Sequence, residues 1–132
     1  MSSNPKEELK RSDLTVPVFF DEKSSMNAAE HFQHTVLRPI LKLQNELLCP
    51  VAIEQCVSQD PGFKELSVRK RDSMLNKALM TNQPLRSLLS GMIIGMMDPE
   101  QLKLFLTDRK DLSKRIQNMV RERIMDQYSK FL

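Results

Sequence analysis

Apolar residues recur every three or four positions through most of this chain, which is the spacing of an amphipathic helix. The last segment shows this best, since residues 111–130 carry one apolar stripe made of Leu112, Ile116, Met119, Val120, Ile124 and Tyr128. No segment alternates apolar and polar residues as a half-buried strand does. The pattern predicts an all-α protein, folded as a compact bundle of five or six helices.

Capping residues and prolines divide this pattern into separate helices. Short polar side chains that can accept from free N–H groups mark four helix starts, at Asn27, Ser67, Asn82 and Asp98. Pro39 predicts a break or kink over residues 35–38, because the residue before a proline avoids helical geometry. A new helix is then predicted from Pro39 to about Ser58, with a kink at Pro50.

The run Leu88–Met97 is apolar almost all the way round a helix. It contains only ten residues, whereas a bilayer span needs about twenty. The run therefore predicts the buried centre of the bundle rather than a membrane anchor, with helices 39–58 and 111–130 packed across it. Its small residues lie four apart and predict a ridge that a second helix can approach closely: Ser87, Gly91 and Gly95.

The helix predicted over 39–58 carries most of its large apolar side chains on one arc. At about 100° per residue, that arc holds Val36, Leu37, Ile40, Leu41, Leu43, Leu47, Leu48 and Val51, with Cys49 opposite. Gln44 lands near the middle of the arc, where a buried amide without a partner costs about 1–3 kcal/mol. Gln44 is predicted either to bond the backbone near Pro39 or Pro50, or to bind a ligand in a pocket.

Residues 1–25 form a polar leader around one apolar cluster, Leu14–Phe20. Pro17 within the cluster argues against a helix, so we expect an extended arm whose Phe19 and Phe20 dock on the body. A disordered tail is the alternative, chiefly for residues 1–12. No apolar stretch follows the charges of the leader, which excludes a secretory signal.

Length, charge and cysteines place the chain in a broad class. At 132 residues it is long enough for one domain, expected over residues 26–132. The net charge of +3 is an ordinary balance, not that of a dedicated nucleic-acid binder.

Cys49 and Cys56 would lie about 10 Å apart on one helix, too far for a disulfide. They indicate reduced thiols, and a cytoplasmic location is expected.

One acid–imidazole cluster, Glu30, His31 and His34, is the candidate for metal chemistry. Residues three or four apart share a helix face and can begin a metal site, but a di-iron bundle needs two Glu-x-x-His elements. An exposed or hydrogen-bonded histidine pair is the alternative.

No nucleophile motif or glycine-rich phosphate loop is present. No catalytic residue and no cofactor is therefore predicted.

Basic residues suggest a second surface. Arg69, Lys70 and Arg71 begin the third predicted helix, and Lys114 and Arg121 lie on one face of the last. Such residues can follow a phosphate backbone. Because acidic residues are interleaved with them, a solvated face with pairs four residues apart is the alternative.

Three segments carry a resemblance: HFQHTVLRPILKLQNELL (31–48), LLSGMIIGMMDPEQLKLFL (88–106) and RIQNMVRERIMDQ (115–127). With them the chain resembles a family of small, uncharacterised, all-helical bacterial proteins, over residues from about 25 to the C-terminus. Some members are labelled glyoxalase. Glyoxalase I-type enzymes are built from paired βαβββ modules with metal ligands on strands, and this sequence has neither. The resemblance implies a fold but no activity.

The function expected from these features is a small intracellular protein–protein interaction or regulatory module. Its partner is another protein or a second copy of itself, and no membrane is involved. Two alternatives stay open. One is a nucleic-acid-associated protein that uses the basic helix faces. The other is a metal-binding protein or enzyme centred on Glu30, His31 and His34.

Overall fold

The computed structural model of the protein describes residues 27–132, and the predicted arm with Phe19 and Phe20 lies outside that range. Every regular element within it is helical, which confirms the all-α fold. The α-helices are α1 (Ala28–Phe32), α2 (Arg38–Gln59), α3 (Val68–Thr81), α4 (Gln83–Ile94), α5 (Pro99–Thr107) and α6 (Arg109–Gln127). A π-helical turn spans Gln33–Leu37, and 3-10 turns span Phe63–Glu65 and Tyr128–Phe131.

The four predicted helix starts are confirmed by side-chain caps at Asn27, Ser67, Asn82 and Asp98. The cap of α5 is reciprocal. Asp98 Oδ1 accepts from the Gln101 N–H at 2.8 Å, and Gln101 Oε1 accepts from the Asp98 N–H at 2.9 Å. Because each bond satisfies an N–H group that the helix leaves free, these short polar residues set where the helices begin.

The helix does not break before Pro39, although a π-helical turn lies where a break or kink is predicted. The π-helical turn joins α1 to α2 without interruption, and the Arg38 N–H donates to the Gln33 carbonyl five residues back. This wider turn makes room for the Pro39 ring, which in an α-helical turn clashes with the carbonyl four residues before it. Helix α2 also continues through Pro50, which is exposed on its outer side.

Helix α2, rather than the segment 85–97, is the centre of the bundle. It packs against α3, α4 and α6, while α4 also packs against α6. Segment 85–97 buries a single face, made of Leu85, Leu89, Ile93 and Met97. Leu88 is 53% exposed, so the prediction that this segment is buried all round is wrong. A continuous apolar run indicates a buried helix only when other helices surround that helix on all sides. No helix among the described residues covers the outer side of segment 85–97.

The buried face of α2 includes Ile40, Leu41 and Leu48 of the predicted arc but extends to the opposite side at Cys49. Leu43 and Leu47 are exposed, whereas Cys49, predicted opposite the core, is fully buried. The buried positions of α2 are Ile40, Leu41, Leu48, Cys49, Ala52, Ile53 and Cys56. Cysteine behaves as a small hydrophobe, and small side chains on this face let neighbouring helices come close. The core therefore combines part of the predicted arc with the small residues beside it, and two large leucines are left outside.

Candidate functional site: a groove between α2 and α4

Helices α2 and α4 run antiparallel and leave an open groove along their outer side. Gln44 meets Met92 at one end, while residues around Val51 face those around Leu85 at the other. The groove holds about 1050 Å³ of open space and is lined by Pro50, Val51, Glu54, Gln55, Ser58, Pro84, Leu85 and Leu88. All three residues that line its α4 wall are apolar.

Two leucines extend the apolar surface of this groove along α2. Leu43 and Leu47 precede Val51 by eight and four residues, which puts all three on one helix face. Leu43 is 48% exposed and Leu47 is 54% exposed, and Leu88 on α4 is 53% exposed. Single exposed leucines are ordinary on a protein surface, but a row of them beside a concavity marks an interaction site. We refer to the lining residues together with Leu43 and Leu47 as the α2–α4 groove.

Small residues form the outer side of α4. Ser87, Gly91 and Gly95 are all exposed. A Cβ built on Gly91 meets no atom within 4 Å, and one built on Gly95 meets the Gly91 carbonyl oxygen of its own helix at 3.0 Å. The predicted ridge of small residues is therefore present, but no helix among the described residues packs on Gly91.

The charges around the groove are mostly acidic. Glu54 lines the groove and Glu46 lies eight residues earlier, and both are exposed. The one salt bridge of residues 27–132 lies within α6, so neither glutamate is paired there. Lys42 is the only basic residue on α2 beyond Arg38. Arg86, the only charged residue of α4, donates to Gln117 of α6. The groove thus combines an apolar wall on α4 with a mixed wall and a negative rim on α2.

Gln44 holds the end of α4 against α2. Its Nε2 donates to the Met92 carbonyl at 3.1 Å. In a continuing helix that carbonyl would accept from the Met96 N–H, but α4 ends here and Met96 donates to the Ile93 carbonyl at 3.1 Å. Gln44 therefore supplies the donor that the helix end lacks. It is a structural amide, although its partner lies on α4 and not near either proline of α2.

Replacing Gln44 with methionine is expected to lower the free energy of unfolding by about 1–2 kcal/mol, because the Met92 carbonyl loses its donor. Urea denaturation followed by circular dichroism measures this change. Gln55→Met is the matched control, since Gln55 is also half-buried on α2, and it should shift the value by less than about 0.5 kcal/mol. Wild-type stability in the Gln44 variant would contradict this role.

The acid–imidazole cluster does not form a metal centre in the described part of the chain. Glu30 and His31 lie half-buried on α1, and His34 lies exposed in the π-helical turn. No three His, Cys, Asp or Glu side chains among residues 27–132 gather as a group that could hold a metal ion.

Two of the five basic residues predicted for this surface form hydrogen bonds within the bundle. The Arg71 guanidinium donates to the Leu66 carbonyl at 2.7 Å, and the Arg121 guanidinium donates to the Asn76 side chain at 3.5 Å. Both arginines are half-buried. The surface predicted for phosphate contacts is thereby reduced to three exposed residues: Arg69, Lys70 and Lys114.

Sequence reasoning missed the polar contacts that join α6 to the rest of the bundle. Arg115 donates to Gln33 in the π-helical turn at 2.9 Å, and Arg123 donates to Asn45 of α2 at 3.4 Å. The partners lie 82 and 78 residues apart, so no local spacing reveals them. All four residues belong to the segments that carry the family resemblance, which was the only signal that could have pointed to them.

Both cysteines are buried and neither forms a disulfide. Burial raises the pKa of each thiol from 9.0 to about 11, because an apolar environment disfavours the thiolate. For Cys49 the nearby charge of Arg123 offsets part of this effect. At neutral pH both side chains are therefore protonated core residues rather than nucleophiles.

None of the helices described over residues 27–132 combines the length and the apolar character needed to cross a bilayer. Comparison with known proteins finds no matching family model, no matching curated protein and no matching solved structure. The resemblance carried by segments 31–48, 88–106 and 115–127 therefore stays a sequence-based expectation.

Proposed function

We propose that this protein is a small cytoplasmic protein-binding module that takes an amphipathic helix of a partner protein into the α2–α4 groove. The observation that carries the proposal is the row of exposed leucines along that groove, with Leu43, Leu47 and Leu88 each about half exposed. The two reduced, buried cysteines support the cytoplasmic location.

The shape of the groove favours a helix as its occupant. The groove lies between two antiparallel helices and is long and open, and an amphipathic helix binds such a surface through side chains three, four and seven positions apart. Small residues at Ser87, Gly91 and Gly95 would allow its backbone to approach α4 closely. Covering the exposed part of each groove leucine contributes on the order of 1 kcal/mol.

The charges define the chemistry of the partner helix further. Glu46 and Glu54 have no ionic partner among the described residues, so basic residues beside the apolar face of the partner would complement them. Pairs at such a rim speed association and select the partner more than they add affinity. The proposed occupant is therefore a helix with an apolar face and lysine or arginine on its flank.

Single substitutions in the groove are expected to abolish partner binding without unfolding the protein. Leu47→Glu and Leu88→Glu each place a charge where an apolar contact is proposed. Loss of one central contact weakens binding by about 2 kcal/mol or more, which is a loss of affinity of about 30-fold. Affinity purification of the tagged chain from its own cells, followed by quantitative mass spectrometry, compares these variants with the wild type. Leu106→Glu on α5 is the matched control, because Leu106 is also 53% exposed but lies outside the groove.

We expect a partner that is retained by the wild type and by Leu106→Glu, and lost from both groove variants. Equal recovery from all four proteins would contradict the proposal. Recovery of untagged copies of the same chain alone would assign the groove to self-association instead. A complex that dissolves on nuclease treatment would favour the nucleic-acid alternative built on Arg69, Lys70 and Lys114.

A further inference from the structure

A second apolar pocket lies where the described chain begins. It holds about 310 Å³ of empty space and is lined by Ala28, Ala29, Phe32, Leu104, Thr107, Asp108 and Leu112. Phe32 and Leu112 are each 3% exposed, so they form its floor, while Thr107 and Asp108 are exposed at its rim. The pocket is thus a hydrophobic depression between α1, the end of α5 and the start of α6.

The location of this pocket restricts what can fill it. Ala28 and Ala29, at its edge, are the first two residues of α1, so the preceding chain leaves the described structure at the mouth of the pocket. Phe20 is eight residues before Ala28, and an extended chain spans about 3.3–3.6 Å per residue, so Phe20 lies within about 28 Å of the pocket edge.

The same distances separate this pocket from the α2–α4 groove. Val51 lies 23 residues beyond Ala28 along an uninterrupted run of helix, which at a rise of about 1.5 Å per residue is about 34 Å. Phe20 at full extension falls short of Val51. Phe19 and Phe20 therefore have the pocket within their reach, whereas they reach the groove only at its near end, where Leu43 and Leu47 lie about 22–28 Å along the helix.

We infer that the pocket formed by α1, α5 and α6 is occupied by Phe19 and Phe20 of the same chain. This inference does not depend on the function proposed for the groove. Leu14–Phe20, with the sequence LTVPVFF, is the one dense apolar cluster in residues 1–26. Attachment at the pocket edge gives these rings an effective concentration in the millimolar range, which a separate molecule does not have.

The composition of the segment fits an extended occupant. Pro17 has a fixed φ and no N–H, so the chain around it favours an extended form over a helix, and a phenylalanine ring offers a large apolar area for a pocket of this size. Docking places the two rings against Leu104 and joins α5 to α1 through a third element.

Disulfide trapping in the full-length protein tests this inference. Asp21→Cys next to Phe20 and Thr107→Cys at the pocket rim form the reporter pair, and oxidised glutathione at pH 7.5 drives bond formation. Cys49 and Cys56 do not compete, because both are buried and their pKa is raised to about 11. Non-reducing electrophoresis and peptide mass spectrometry distinguish a bond within one chain from a bond between two.

We expect rapid formation of an intramolecular disulfide that slows about 100-fold when Phe19 and Phe20 are both changed to serine, since each lost ring contact removes about 1.4 kcal/mol, a tenfold factor. Pairing Asp21→Cys with Leu106→Cys, one residue from Thr107 but outside the pocket, should also be slow. Equal rates with and without the two rings would overturn the inference. Faster formation of disulfide-linked dimers at low protein concentration would also overturn it, by placing the arm on a second copy.

Discussion

Replacing Leu48 with alanine is expected to lower the free energy of unfolding by about 2–5 kcal/mol, whereas Leu47→Ala should change it by less than about 0.5 kcal/mol. The two leucines are neighbours on α2, yet Leu48 is fully buried and Leu47 is 54% exposed. Truncating Leu48 leaves a cavity in the centre of the bundle that the surrounding helices fill only in part. Truncating Leu47 removes a side chain that water already reaches.

This pair tests the orientation of α2, on which the groove depends. Urea denaturation of the two variants and the wild type under identical conditions measures both changes. Similar losses in the two variants would mean that Leu47 is buried as well, as the arc calculated from sequence predicts. The face that carries the groove would then point into the core.

Replacing Phe63 with alanine is expected to destabilise the protein by about 3–5 kcal/mol. Phe63 begins the 3-10 turn between α2 and α3 and is fully buried. Its ring anchors the short connection between α2 and α3 in the core, so its removal opens a cavity and loosens the junction of two helices. The expected fall in Tm is about 4–8 °C for each kcal/mol lost in a domain near this size.

Lys64→Ala is the control for this substitution, because Lys64 is the exposed neighbour of Phe63 in the same turn. Calorimetry of both variants is the measurement, and Lys64→Ala should melt within about 2 °C of the wild type. A small effect at Phe63 would show that the α2–α3 connection is not part of the core.

The ends of the helices could be predicted from sequence because they depend on nearby residues. Asn27, Ser67, Asn82 and Asp98 each accept from an N–H group three residues ahead. Because donor and acceptor are three residues apart, the local sequence determines such contacts. At Pro39 local order indicated an irregularity over residues 35–38 but not its form, a π-helical turn that keeps the helix continuous. That turn is supported in part by Arg115, a residue far away in sequence.

The groove itself could not be predicted, because exposure is decided by how many helices surround each one. The run Leu88–Met97 indicates a buried helix by composition, yet Leu88 and Gly91 face outward. The leucine-rich arc of α2 predicted the core only in part, since Leu48 is buried whereas Leu43 and Leu47 are exposed. Apolar residues left outside the core are the feature that supports a binding function, and sequence periodicity alone assigns them to the core.

The polar residue Gln44 was located correctly as a structural candidate, but its partner was not. A side chain on a predicted apolar arc must find a hydrogen-bond partner, and this argument holds for any helix. Which partner it finds depends on where another helix ends, and α4 ends so that the Met92 carbonyl is available. Tertiary packing decides such pairs.

Site-specific photo-crosslinking in living cells tests the proposed groove most directly. A benzoyl-phenylalanine at Leu47, which is 54% exposed, is compared with the same residue at Leu106, which is 53% exposed on α5. We expect an adduct of defined mass at position 47, formed with a helical segment that carries an apolar face and basic flanks, and no such adduct at position 106. Equal labelling at both positions, or an adduct at position 106 alone, would contradict the claim that the α2–α4 groove is the binding surface.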